Sequence, residues 1–496
     1  MTSPRWPVAA IVGAGLIFAL LATANAAGYR YGVSDQGFYV SAIFEDLHPG
    51  AYPRDRVVLA PQGSLTTIDE IGAAIIRHTG ISLPLLCAMG YIAALAGLWA
   101  AIWLIGGSLY QSTWSTVALG LALTLRHRVT QTGANTLEGY FHPRMLAFAL
   151  GALGLAAFLR HRAWTAIALV ALAALIHPTT AIWFAVLLGP ALVVSTPSLR
   201  RPLLAGAAVG AVFAGWALLG PLRPRLAIMD DLWISAFAGK DYVFPTAWPV
   251  STWALNLMLP ALIFWILKVR ARTATAGMDA GIMAGAAALL ACFLISLPFI
   301  HTHVALAVQL QSSRVFWLLD LLATIYLTWW LVDRPSATRA ATHRRRVVVV
   351  ALLAALTVGR GGYIVFFEHP ERRFARMGLP ATDWQDAMDW LRGQPLDTHV
   401  LADPNHAFKY STSVRIGAER DVLLEGGKDS AMALYAREVG VRVVERSAAI
   451  GDFAQMTPEH ARELAGRYDL DYLVTEADLA LPMAYRNAQM RIYSLK

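Results

Sequence analysis

Residues Ser34–Asp55 read SDQGFYVSAIFEDLHPGAYPRD, an acidic and aromatic stretch that follows the first membrane-length apolar run, near 7–27. Carboxylates held just outside a bilayer point to chemistry at that surface. On a helix starting at Asp35, the side chains of Asp35, Tyr39 and Asp46 lie near one face, because the eleven residues from Asp35 to Asp46 make about three turns. The plainer reading is structural: Ser34 or Asp35 caps that helix, and Asp55 closes the Tyr52-Pro53 turn.

Outward from this loop the chain is built for a membrane. Hydrophobic residues make up 57% and charged residues 15% of it, against about 25% charged in soluble proteins. Apolar runs able to cross about 30 Å of hydrocarbon lie near 7–27, 81–105, 113–125, 144–159, 163–178, 179–195, 202–220, 251–267, 277–299, 315–332 and 347–367. Three of them, 113–125, 144–159 and 163–178, are short for full spans, and the His177-Pro178 break is compatible with a kink inside one longer element. The expected fold is a polytopic α-helical membrane protein of about eleven spans.

The charges fit such a chain. Residues 1–367 carry a net +12 and residues 368–496 a net −4, so the basic character reflects membrane orientation and makes no case for nucleic acid. With the N-terminus inside, the inner loops hold Arg5, Arg160, Arg162, Arg200, Arg201, Lys268, Arg270, Arg272 and Arg334 through Arg346, with almost no acid. The Ser34–Asp55 loop, within a larger external loop 28–80, and the C-terminal segment then share the non-cytoplasmic side. The expected location is the cell's inner membrane, multi-pass. The first run, ending in Ala24-Asn25-Ala26, mimics a cleavable signal peptide but is long enough to span, and is read as an uncleaved anchor. Cys87 and Cys292 both fall inside expected spans, which excludes an extracytoplasmic disulfide framework.

Beyond Phe367 the composition becomes that of a soluble domain, residues 368–496. Trp384, Met388 and Leu391 form one helical stripe, His399–Pro404 reads as a short buried strand, Thr457-Pro458 as a helix start, and Asp471–Thr475 as another strand. Alternating strands and helices predict a small α/β domain. It has no glycine-rich phosphate loop, CxxC or nucleophile elbow. A dense polar segment, Arg415 to Arg420 and then Glu425 to Asp429, is either ordinary surface pairing or an acceptor-holding face in which Gly426 and Gly427 make a tight turn and Arg420 and Lys428 bind sugar or phosphate. The aromatic loop 221–250, with Trp233, Phe237, Tyr242, Phe244 and Trp248, suits a sugar or lipid groove as well as an interfacial belt.

A first span, a large external loop with an early Asp, an aromatic helix and a second Asp after a Tyr-Pro turn, then many spans and an external α/β domain, together resemble the GT-C superfamily of polyprenyl-phosphate-sugar-dependent glycosyltransferases. Three segments resemble its uncharacterised bacterial branch: LEGYFHPRMLAFAL (Leu137–Leu150, with Glu138 and Arg144), LIHPTTAIWF (Leu175–Phe184) and LQSSRVFWLLDLL (Leu310–Leu322). The chain departs from the pattern in one place, where the acidic pair of some members appears as Glu45-Asp46, later than Asp35. The resemblance implies a GT-C-like membrane domain over 1–367. It further implies an acid in the first external loop, Asp35 or else Asp55, that takes the acceptor's proton in an inverting displacement. The leaving polyprenyl phosphate would need cations at the outer membrane surface, for which Arg144, Arg314, His177, His301 and His303 are candidates; each Arg also suits an interfacial anchor. His301 and His303 lack a third ligand, so no metal site is assigned, although a divalent ion remains compatible with such chemistry. The implied partners are membrane lipid, a polyprenyl-phosphate sugar donor and a glycan, lipid or protein acceptor.

Asp320, an acid inside an expected span, supports a rival class, a transporter or flippase of a lipid-linked or small substrate. The chain lacks the internal pseudo-repeat common in such folds. A third class is a non-catalytic envelope assembly protein, in which both loop acids tolerate neutral substitution.

Overall fold

The computed structural model describes residues 7–63, 66–125, 128–271, 276–336 and 338–496. Arg5 and Arg272, counted above among inner-loop charges, lie outside the described residues. Each apolar run forms a helix: Val8–Asn25, Leu83–Leu109, Thr113–Thr124, Pro143–Leu159, Ala163–Ile176, Pro178–Ser195, Arg200–Leu219, Val250–Arg270, Ala276–His301, Val315–Thr328 and Arg339–Tyr363. Eight of these segments are long and apolar enough to cross a membrane, and this is a multi-pass membrane chain. Thr113–Thr124, with 12 residues, reaches only about 18 Å. The chain breaks at His177, whose extended backbone separates two helices.

Between helices in lipid there is no water to expel, so association rests on close packing. Pro143–Leu159 is buried on almost every face and carries Ala147, Ala149, Gly151, Ala152 and Gly154 where neighbours approach. A Cβ on Gly151 would run into the Phe184 ring. Phe148 stacks on Trp317 at 4.2 Å between ring centroids, linking this helix to Val315–Thr328. At the other extreme, the Pro197–Leu219 span has only 6% of its apolar window buried and faces lipid nearly all round. Arg270, read above as a loop charge, is instead buried and pairs with Asp279 at 3.0 Å.

The C-terminal region forms a five-stranded mixed sheet. With β1 Tyr29–Arg30, β2 Ala375–Arg376, β3 His399–Leu401, β4 Asp421–Val422, β5 Tyr472–Thr475, β6 Met483–Arg486 and β7 Arg491–Ser494, its order is β4-β3-β5-β7-β6. β3 runs parallel to β4 and β5, while β7 runs antiparallel to β5 and β6. Thr382 and Thr457 cap the flanking helices Asp383–Arg392 and Pro458–Tyr468 by accepting from the N–H groups of Gln385 and His460. Trp384, Met388 and Leu391 form the buried stripe of the first. Gly426 and Gly427 do not make a turn; they open the helix Gly426–Ala433.

This domain is joined to the loop after the first span. β1 pairs in parallel with β2, Tyr29 opposite Ala375. Phe38, Tyr52 and Val58 of the loop share one core with Leu401, Leu423 and Leu434 of the domain. At its edge Asp55 is completely buried, with Arg415 Nε at 2.8 Å, Arg442 on its other oxygen and the Val422 N–H at 2.9 Å. Arg415 in turn holds Asp429 with two bonds, 2.6 and 3.2 Å, and Tyr52 donates to the Arg415 carbonyl at 2.6 Å. The oxygens of Asp55 and Asp429 all have partners, while Arg442 Nε has no hydrogen bond among the described residues; paired carboxylates are the condition under which buried charge is tolerated.

Burial alone would raise the Asp55 pKa, but Arg415 and Arg442 outweigh it and hold the carboxyl well below the usual carboxylate range. The stability it contributes is therefore present above the unfolded value of about 4 and is lost as pH falls through the folded value. Asp55→Asn should cost about 3 kcal/mol, because it leaves the Arg442 guanidinium buried without its anion, while Arg415 keeps Asp429. It should also flatten the acid limb of a melting-temperature profile recorded in detergent; an unchanged melting temperature and acid limb would show that the cluster does not hold the loop.

Candidate active site

A cavity of about 280 Å³ lies where the first loop, the breaks between helices and the C-terminal domain meet. Asp35 and Tyr39 come from the first loop, His142 and Arg144 from the start of Pro143–Leu159, and His177 from the start of Pro178–Ser195. Gln311 and Arg314 precede Val315–Thr328, and Leu434 and Tyr435 of the C-terminal domain form the remaining wall.

Asp35 precedes the helix Gln36–Leu47 but its side chain makes no cap hydrogen bond. It accepts instead from Lys428 Nζ at 2.8 Å, from the Tyr140 hydroxyl at 3.3 Å and from His142 Nε2 at 3.3 Å, with about a third of the side chain exposed. His142 caps its own helix: Nδ1 accepts the Arg144 N–H at 3.0 Å, so the ring proton sits on Nε2 and points to Asp35. Burial, then the charge of Arg144, pushes His142 down to about 4, so it is a neutral donor at pH 7. Burial would raise Asp35, but the Lys428 ammonium and the His142 hydrogen bond outweigh it and keep the carboxyl ionised, well below its ordinary value.

The two arginines differ in their surroundings. Arg144 pairs with Glu138 at 3.2 Å and donates to the Gly133 carbonyl at 3.2 Å. Arg314 is 9% exposed, and among the described residues its guanidinium has no hydrogen-bond or ion-pair partner. Next to it Gln311 adopts a left-handed backbone at φ 49°, uncommon for a residue with a Cβ, and donates to the Tyr435 hydroxyl at 2.7 Å. A buried guanidinium without a counter-charge is costly unless an anion arrives, and the cavity offers that place.

The cavity thus brings together Asp35, Tyr39, Arg144, His177 and Arg314, with Glu138 behind Arg144 and Lys428 behind Asp35. It does not include Asp55, whose oxygens are consumed in the ion cluster. Glu45 pairs with Arg56 at 3.0 Å and the Asp46 backbone carbonyl accepts from Arg77, both away from the cavity. Arg420 donates to the carbonyls of Glu419 and Arg392 inside the C-terminal domain. His301 is exposed, and His303 stacks edge-on against Phe244. Asp320 lies outside the cavity, on the helix Val315–Thr328. His142, Arg225, Gln311 and Tyr435 line the cavity without having been singled out, and Tyr242 reaches it from the aromatic loop 221–250. One signal was available for His142: His142-Pro143 and His177-Pro178 are the same helix start, a His whose Nδ1 caps the first turn, and the two rings lie 6.1 Å apart.

No group of three or more His, Cys, Asp or Glu side chains comes together among the described residues. The neighbours of Asp35 are an ammonium and two hydrogen-bond donors, a set that does not fit a divalent ion.

No protein-family model matches the chain, and no curated protein matches it. Among solved structures, the crystal structure of the Archaeoglobus fulgidus oligosaccharyltransferase in the apo form is similar, with a TM-score of 0.46 and 12% identity over 94% of this chain and 69% of that one. The functional reading rests on the site's own geometry.

Because Arg314 has no protein anion to lose, Arg314→Met should leave the melting temperature unchanged or higher while weakening inorganic phosphate binding at least about tenfold, read by calorimetry in detergent. Arg144→Met, which takes from the buried Glu138 its guanidinium at 3.2 Å while the Asn135 amide still donates to it at 2.9 Å, should lower stability by about 1–3 kcal/mol. Equal stability losses in the two variants would mean that Arg314 is paired in solution.

Proposed function

We propose that this chain is a membrane glycosyltransferase of the GT-C type that transfers a sugar from a polyprenyl-phosphate donor to an acceptor on the external face. The observation that carries the reading is the pairing, in one cavity, of an ionised carboxylate with a buried guanidinium that has no partner among the described residues. These are a base and an anion seat, the two groups that displacement from a sugar phosphate requires.

In this reading Arg314, with Arg144 beside it, receives the donor phosphate, and Tyr39, Tyr242 and His177 line the space for the sugar. The acceptor O–H gives its proton to an Asp35 oxygen as its own oxygen attacks the anomeric carbon. The bond from that carbon to the phosphate oxygen breaks, and its electron pair stays on the phosphate as a polyprenyl monophosphate. Attack opposite the leaving group inverts the anomeric centre. The neutral His142 orients Asp35 without adding a positive charge. The first loop, the cavity mouth and the C-terminal domain lie on the non-cytoplasmic side, as the clustering of Arg and Lys in the opposite loops supports.

Asp35→Asn keeps one acceptor oxygen, which serves either Lys428 on Oδ1 or Tyr140 and His142 on Oδ2, and removes the base. It should keep the fold and lower release of polyprenyl phosphate from a panel of polyprenyl-phosphate sugars, with cell-envelope acceptors present, by about 10²–10⁴. Asp320→Asn should retain turnover. Undiminished release by Asp35→Asn would remove the base assignment, and loss with Asp320→Asn alone would favour a transporter.

A further inference from the structure

A second hollow, of about 230 Å³, lies on the far side of the groups that hold the Asp35 oxygens. Lys428 and Tyr140, the groups bonded to the Asp35 oxygens, line this groove and not the cavity, whereas Asp35 and His142 line the cavity and not the groove. Its remaining wall carries the hydroxyls of Ser34 and Ser411, the charged Arg30 and Glu138, and the ring of Phe408, which is 65% exposed. Phe408 owes its place to Gly427, where a Cβ would strike the ring. The Lys428 ammonium lies 6.0 Å from the same ring.

Two arguments give the groove an occupant, both resting on the transferase reading. The leaving phosphate and the incoming oxygen must lie on opposite faces of the anomeric carbon, and the cationic cavity is the phosphate side; the nucleophile's route is then the hollow beyond Asp35. The lining suits a ligand dense in hydroxyls with one C–H face for an aromatic ring, which describes a saccharide. Charged side chains on both flanks oppose an acyl chain.

We propose that this groove is the acceptor site, that its acceptor is a saccharide, and that Lys428 releases Asp35 to the incoming hydroxyl. Without acceptor, Lys428 occupies one Asp35 oxygen and closes the passage between the two hollows. Water then finds no free base, and the donor is protected from hydrolysis. When a saccharide hydroxyl enters, it replaces the ammonium on Asp35, and Lys428 turns to the acceptor's neighbouring oxygens.

The test uses the full chain in detergent with fluorescently labelled oligosaccharides released by mild acid from cell-envelope polysaccharide. Phe408→Ala should weaken their binding about fivefold or more, and Phe408→Trp should restore it. Lys428→Met should raise acceptor-independent release of polyprenyl phosphate about tenfold relative to transfer, since water then reaches Asp35. Saccharide binding unaffected by Phe408→Ala, retention of a labelled peptide in place of saccharide, or an equal fall of release and transfer in Lys428→Met would each overturn the proposal. Phe408-dependent binding in a protein that turns over no donor would keep the saccharide groove and overturn the transferase reading and the Lys428 hand-over. Donor turnover with Phe408-independent binding would do the reverse for the groove.

Discussion

Everything at the site depends on one buried ion cluster, Asp55 between Arg415 and Arg442. The loop after the first span folds into three short helices, Gln36–Leu47, Arg56–Gly63 and Ile68–Thr79, and the C-terminal domain, joined covalently to the membrane helices through the chain before it, also meets the rest of the chain at Trp233, Gln309 and Gln311, which donate to Ala433, Leu434 and Tyr435. Charges removed from water accept few geometries, because a missed contact costs several kcal/mol. A carboxylate that satisfies two guanidinium groups and a backbone N–H therefore sets the register of loop on domain more sharply than an apolar contact does. The β1–β2 pairing and the Tyr52 bond to the Arg415 carbonyl act in the same direction.

That register brings Lys428 to Asp35. Arg415 grips Asp429, which neighbours Lys428 at the start of the helix Gly426–Ala433, so the cluster and the site share the first turn of one helix. Charge is separated across the cavity: the carboxylate side has its own cation in Lys428, while Arg314 is left without an anion among the described residues. Were Asp35 paired to Arg314, the cavity would be self-neutralised. Lys428 satisfies Asp35 from outside the cavity and leaves the Arg314 guanidinium without a counter-charge among the described residues.

The helices and the α/β pattern were legible because they rest on local rules. Hydropathy marks Leu83–Leu109 whatever it packs against, and Thr457-Pro458 starts a helix by its own chemistry. Asp35, Arg144, His177 and Arg314 stood out because charge beside an apolar run is conspicuous. What failed is equally specific. Asp55 looks as available as Asp35 in the loop, and only its partners 360 and 387 positions away turn it into a structural group. Arg270 reads as a loop charge until Asp279 and the ring of Trp329 enclose it. Sequence distance hid these pairings, since no local rule relates residues brought together by the docking of a domain.

The same docking explains why the site draws on so many segments. Among the described residues no helix carries both the carboxylate and the free guanidinium: Asp35 precedes one helix, Arg314 another, and His142 and His177 two more. Helix starts collect at the membrane surface because spans begin and end there, and each leaves backbone N–H groups and polar caps directed outward. Four such starts under one roof make a pocket rich in donors without placing a charge in the middle of the hydrocarbon. The roof, Leu434 and Tyr435, belongs to the domain that Asp55 anchors. Cavity and groove are therefore completed by one docking event: without its C-terminal domain the chain would keep Asp35 but lose Leu434 and Tyr435 from the cavity and Phe408 and Lys428 from the groove.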